Sequence, residues 1–209
     1  MHGDYEQETY VVQPQDTLYS IAWRHALDYR ALARWNGIGP NYRISVGQIL
    51  TLRPATPPGA ARPPPATAKS APGAAVPPSG VPSESQDPTP GRWGWPTSFL
   101  QSPRPVTGGG ILLEGVLGQP VRAACSGRIV YVGNGIRGYG NLIIIKHDDY
   151  FLSAYAHTRE VAVHEGQNVL RGQMIAQMGV GPHQTPALYF EIRLNGKPVD
   201  PLPYLSGGK

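Results

Sequence analysis

Few side chains in this sequence suit metal or proton chemistry. Its 209 residues hold six histidines, 14 acidic residues and one cysteine, Cys125. A lone cysteine excludes an internal disulfide and a multi-cysteine metal site, and reads as a small buried apolar residue. A hydrolytic zinc centre needs three protein ligands and an open position for an activated water. His147, His164 and His183 are too scattered to form an obvious set of that kind. No metal and no cofactor is expected. The formal charge of +4 is spread as −1 over 1–52, +2 over 53–92 and +3 over 93–209, with no block of like charge, so nucleic acid is not an expected partner.

The elements that position these residues fall into three stretches after a flexible N-terminus, 1–8. Gly and Pro number 26 and 23, an excess that argues against a helical bundle. Twelve prolines lie between Pro54 and Pro90, and no aromatic occurs between Tyr42 and Trp93. Such a segment buries too little apolar surface to offset chain ordering, so 53–92 reads as a Pro/Ala-rich linker. Before it, 9–52 reads as strand, helix, helix, strand. Thr9 to Val12 is β-branched, and Asp16-Thr17 precedes Leu18, Ile21 and Ala22 as a cap precedes an amphipathic helix. Asp28 caps a second helix, with Leu32 and Trp35 inward and Gly37 as its stop. Gly47 to Leu52 reads as a turn and a closing strand. Past the linker, 93–209 carries short strands punctuated by Gly and Pro: Val121–Ala124, Arg128–Val132, Asn141–His147, Tyr150–Ala156, Gln173–Gly179 and Ala187–Arg193. Leu142 to Ile145 is apolar at successive positions and predicts a central strand covered on both faces. The fold class is mainly β, an antiparallel, barrel-like sheet domain preceded by a small α+β module. No apolar run approaches the roughly 18 residues of a membrane helix. Met1 to Glu6 shows no signal-peptide pattern.

The first module resembles the LysM family. The matching residues are Tyr10-Val11-Val12, Asp16-Thr17-Leu18, Ile21-Ala22, Leu32, Asn36-Gly37-Ile38, Ile44 and Val46-Gly47-Gln48-Ile49-Leu50. Gln15 departs from the family, which usually carries Gly there. The resemblance implies a βααβ fold that binds N-acetylglucosamine-containing glycans, here peptidoglycan. It places Asp16, Thr17 and Leu18 on one side of the groove and Gly37, Ile38, Gly39, Pro40 and Asn41 on the other. Asp16 fits a helix cap equally well, and Leu18 fits a core position.

The last domain resembles the LytM (lysostaphin-like) peptidases. The resemblance rests on Gly118 to Ala124, Gly127 to Gly133, Arg137 to His147, Leu152 to His157, Glu165-Gly166-Gln167, Gly172 to Gly179, Phe190 to Arg193 and Val199-Asp200-Pro201. Active members hold zinc through the His and Asp of a His-x-Gly-x-Asp motif and the second His of a His-x-His motif. Here Gly108-Gly109-Gly110-Ile111-Leu112 aligns with the first, so Gly108 and Leu112 stand for the His and the Asp. Ala187-Leu188-Tyr189 aligns with the second, so Ala187 stands for an assisting His and Tyr189 for the third ligand. Of the five positions only His157, in Tyr155-Ala156-His157, is retained. The domain is therefore expected not to be an enzyme.

An intact scaffold without zinc ligands, behind a LysM module and a low-complexity linker, is similar to the NlpD/EnvC group of amidase activators. That resemblance implies a periplasmic protein, usually an outer-membrane lipoprotein, that binds and activates N-acetylmuramoyl-L-alanine amidases during cell separation. Membrane contact is expected only through a lipid anchor absent from this chain. The vacated groove is expected to bind the amidase through Leu112, Tyr139, Tyr155, His157 and Tyr189, with Arg137, Lys146 and Arg193 at its rim. Each tyrosine also fits core packing, and the segment 93–110 could cover the groove. The rival readings are a zinc-dependent peptidoglycan endopeptidase and a wall-binding scaffold without an amidase partner.

Overall fold

The computed structural model describes residues 9–53 and 93–205. The expected flexible N-terminus, 1–8, and the expected linker beyond Arg53 lie outside the described residues. Among the described residues twelve strands and two α-helices follow one another, with a 3-10 turn over Pro182–Gln184 between the tenth and eleventh strands. The first module contains β1 (Thr9–Val11), α1 (Leu18–Arg24), α2 (Tyr29–Trp35) and β2 (Ile49–Thr51). The second unit contains β3 (Arg104–Pro105), β4 (Ile111–Glu114), β5 (Pro120–Arg122), β6 (Gly127–Gly133), β7 (Asn141–Lys146) and β8 (Phe151–Arg159). It continues with β9 (Asn168–Val169), β10 (Met174–Met178), β11 (Ala187–Leu194) and β12 (Lys197–Val199).

Local chemistry sets the first module. Thr17 caps α1 in a reciprocal box with Ser20, and Asp28 caps α2 by accepting from the amides of Arg30 and Ala31. β1 and β2 pair antiparallel, with Tyr10 opposite Leu50. The Asn36 amide donates to Leu32 O and Thr51 O and accepts from Thr51 N, tying the end of α2 to β2. Leu18, Ile21, Leu32 and Leu50 are fully buried between these elements.

In the second unit an antiparallel sheet runs in the order β3-β4-β11-β8-β7-β6-β9, with β10 joining β8 to β5 and β12 pairing with β11. The molecule is thus mainly antiparallel β with two short helices. The central strand over Leu142–Ile145 is present as β7, and all four residues are fully buried. Ile143 and Ile145 face one core with Leu113, Tyr155 and Phe190. Leu142 and Ile144 face a second core with Leu152, Ala154 and Ala156, and that core continues into Trp23, Tyr29 and Leu32 of the first module. The module's helices are therefore the second cover of β7.

Polar contacts fix this docking. Arg193 donates to Trp23 O at 2.7 Å, Arg30 to the Asn195 side chain at 2.7 Å and Tyr29 to Asp149 O at 3.3 Å. Trp93 lies in the opposite core, 4.4 Å ring to ring from His147, so the start of the 93–110 segment packs away from the docked face.

Candidate functional site

Tyr189 is the reference residue for the expected site. On β11 it stands opposite Leu112 of β4 on one side and Ala156 of β8 on the other. Its hydroxyl oxygen lies 2.8 Å from the Gly109 carbonyl and 2.7 Å from the Glu191 carboxylate. Gly110 has φ of +80°, and a Cβ there would meet Phe190 O and the Tyr189 ring at 2.8 Å, so this glycine is required by the close approach. Ala187 lies two residues back on the same strand. His157 follows Ala156, and its amide donates to Tyr139 O at 2.9 Å. The Tyr139 and Tyr189 rings meet edge to face at 5.6 Å. Leu112 and Tyr189 are thus direct neighbours across the sheet, with Ala187 further along the strand of Tyr189, Gly108 preceding Gly109, and His157 joined to Tyr189 through Tyr139.

Zinc does not fit these residues. Gly108 and Ala187 offer no donor atom, and Leu112 offers only carbon. Burial and the Glu191 carboxylate push the Tyr189 phenol upward, which keeps it protonated and a poor ligand. Burial lowers the His157 imidazole, and one imidazole cannot hold the ion alone. Among the described residues no cluster of three or more His, Cys, Asp or Glu could hold a metal.

Four residues expected at the partner surface sit elsewhere. Tyr155 is fully buried, its hydroxyl accepting from Ala124 N at 2.9 Å, so it is a core residue. Leu112 is 5 % exposed and pairs within the sheet. Arg193 is no rim contact: its side chain is 6 % exposed, donates to Glu191 at 2.6 Å and stacks 3.6 Å over the Trp23 ring. Lys146 faces the first module, with its ammonium 5.5 Å from the Tyr29 ring and paired to Asp149 at 2.8 Å. Arg137 is exposed, and Tyr139, His157 and Tyr189 are partly exposed.

The expected glycan residues divide likewise. Leu18 is fully buried and offers no surface to a sugar. Asp16 accepts from Tyr10 at 2.7 Å, from Gln13 N at 2.9 Å and from Arg24 at 3.2 Å. Its lone pairs are largely committed to the fold. Gly37, with φ of +63°, ends α2, and Ile38 packs on the core behind it. Asp16, Thr17, Pro40 and Asn41 line a cleft of about 620 Å³ whose opposite wall carries Arg128, Lys146 and Glu165. Tyr19 and Tyr42, also on its surface, had not been expected, nor had the contact of Trp23 with the sheet. Trp23 follows Ile21 and Ala22 outside the inward i, i+3, i+4 phase, and that phase break is the sequence signal of a second apolar contact.

Two family profiles match the chain. LysM domain matches residues 10–53, and Peptidase family M23 matches residues 107–201. A Pseudomonas aeruginosa protein, "Lipoprotein NlpD/LppB homolog", is 44 % identical over 94 % of this chain and 76 % of its own length. The chain belongs to the NlpD family. The Escherichia coli relative, "Murein hydrolase activator NlpD", is 36 % identical over 97 % of this chain and 69 % of its own length. Among solved structures, a putative peptidase M23 from Pseudomonas aeruginosa aligns with 60 % of this chain and 53 % of its own, at a TM-score of 0.49 and 24 % identity. The M23 match to this NlpD-family chain spans Gly108 to Tyr189.

Proposed function

We propose that this protein is a non-catalytic activator of N-acetylmuramoyl-L-alanine amidases in the periplasm, an envelope lipoprotein in its full-length form. Its LysM module holds peptidoglycan while its LytM domain engages the amidase, which supplies zinc and hydrolysis. One observation supports this reading above the others: within the M23 match over residues 107–201, Gly108, Leu112 and Tyr189, the residues aligned with the family's zinc ligands, offer no metal-binding set, and the tyrosine hydroxyl is engaged by Gly109 and Glu191. The relatives named as murein hydrolase activators and lipoproteins support it. Activation is a population shift, in which the activator binds the open amidase more tightly than the closed one. The surface left for that contact is Arg137, Tyr139, His157 and Tyr189. The deciding assay mixes purified peptidoglycan, an amidase and this protein. No product is expected from this protein alone, and several-fold more product when both proteins are present. Hydrolysis by this protein alone, lost on chelation and restored by zinc, would establish the endopeptidase instead.

A further inference from the structure

Between the two modules lies the cleft of about 620 Å³, with one wall from each. The LysM wall consists of Asp16, Thr17, Tyr19 and the loop Pro40 to Ile44. The sheet wall consists of Arg128 to Val130, Lys146, Glu165 and Gly166. Its tyrosines suit the C–H face of a sugar: Tyr19 and Tyr42 stand edge to face at 5.8 Å, and the Lys146 ammonium is 5.8 Å from the Tyr42 ring.

The charges point to more than a neutral sugar. Arg43 and Arg128 form no ion pair among the described residues, and Arg128 donates only to the Gly166 carbonyl at 3.2 Å. Of the two carboxylates, Asp16 is neutralised by Arg24. Glu165 accepts from Val132 N at 3.1 Å, and its carboxyl is pushed upward by burial. The cleft thus offers two guanidiniums without carboxylate partners, Arg43 on the LysM wall beside the tyrosines and Arg128 on the sheet wall opposite them. Guanidinium groups bind carboxylates through paired, charge-assisted hydrogen bonds. Peptidoglycan carries that combination, an uncharged amino-sugar backbone with peptides that end in carboxylates.

We infer that the cleft is a composite site for peptide-bearing glycan, in which LysM holds the sugar and Arg128 and Lys146 of the other domain hold the peptide carboxylates. The inference rests on the peptidoglycan reading above and adds the second wall to it. The test measures binding of the intact chain to two probes. One is a short N-acetylglucosamine oligomer; the other is the peptide-bearing fragment set released from purified peptidoglycan by a muramidase. The unaltered chain is expected to bind the peptide-bearing fragments roughly tenfold more tightly, the effect of one good charge-assisted contact. Arg128→Gln should abolish most of that preference and leave oligomer binding unchanged, and Arg128→Lys should restore part of it. Lys146→Gln should act likewise, but it also touches Tyr29 and Asp149, so Arg128→Gln decides where the two differ. Equal binding of both probes by the unaltered chain, or a full preference in folded Arg128→Gln, overturns the composite site. Failure of the unaltered chain to bind either probe overturns the peptidoglycan reading itself.

Discussion

At the scale of single residues, two side chains carry measurable strain or charge cost. His147 is wedged against Trp93, its Nδ1 2.8 Å from Ser126 O and its Nε2 2.7 Å from the Ser153 hydroxyl, which in turn lies 3.0 Å from the Tyr155 hydroxyl. Burial lowers this imidazole to about 4. The unfolded chain takes up the proton near pH 6.5, while the folded chain resists it until near pH 4. Between those limits the unfolded state binds more protons, so stability is lost as the pH falls. The loss is on the order of 2 kcal/mol by linkage, reading urea midpoints at pH 7 and pH 4.5. His147→Gln should flatten this part of the profile. Gln15 is the second case. It stands in the left-handed region with φ of +68°, at the position where the LysM resemblance expects Gly. Gln15→Gly removes that strain and should raise stability by about 0.5–1 kcal/mol, offset in part by glycine's extra chain entropy. An unchanged or lower urea midpoint would contradict the strain.

At the scale of elements, β11 decides what the sheet face can do. Its alternate residues Leu188, Phe190 and Ile192 enter one core, while Tyr189, Glu191 and Arg193 turn toward the docked helices. Glu191 and Arg193 are both nearly inaccessible, and each satisfies the other at 2.6 Å. Arg193→Ala strands a buried carboxylate and is expected to cost about 3–5 kcal/mol, whereas replacing both residues by Met should recover much of it. Hydrogen exchange would show α1 amides opening first in the single variant. Much of this architecture was legible in the sequence. Four successive apolar residues marked β7 as a strand covered on both sides, and Asp28 and Gly37 marked the limits of α2 by their local chemistry. β3, β4, β9 and β12 were not read as strands, because two to four residues carry too little of a period. The expected degenerate positions rest on the family resemblance, whose anchors set the alignment along the chain. Side-chain direction did not follow. His157 takes φ of +59°, which breaks the alternation of β8 and separates it from Tyr155, the residue two before it. Arg193 looked like a surface cation because nothing local announced Trp23 above it.

At the scale of the whole molecule, the docked module and the proposed amidase surface compete for neighbouring ground. Trp23 and Arg193 bring α1 over the sheet beside Tyr139 and Tyr189, and Lys146 is held beneath Tyr29 and Tyr42. A partner that needs this face binds only the fraction of molecules in which the module has lifted, so its apparent affinity is reduced by that fraction. Gly196 offers a way to shift the fraction without touching either site. It forms the turn between β11 and β12 with φ of +77°, and a Cβ there would lie 2.5 Å from Leu27 O and Asp28 N of the module. Gly196→Glu therefore wedges the modules apart, at a local cost of about 1 kcal/mol for the left-handed turn. The variant is expected to keep its circular dichroism, to show a larger radius of gyration in solution scattering, and to stimulate an amidase at lower concentration than the unaltered chain does. Modules that part while the stimulation curve stays where it was would show that the amidase does not use the face beneath α1 and α2. The contact would then have to be sought at the exposed side of the sheet around Arg137.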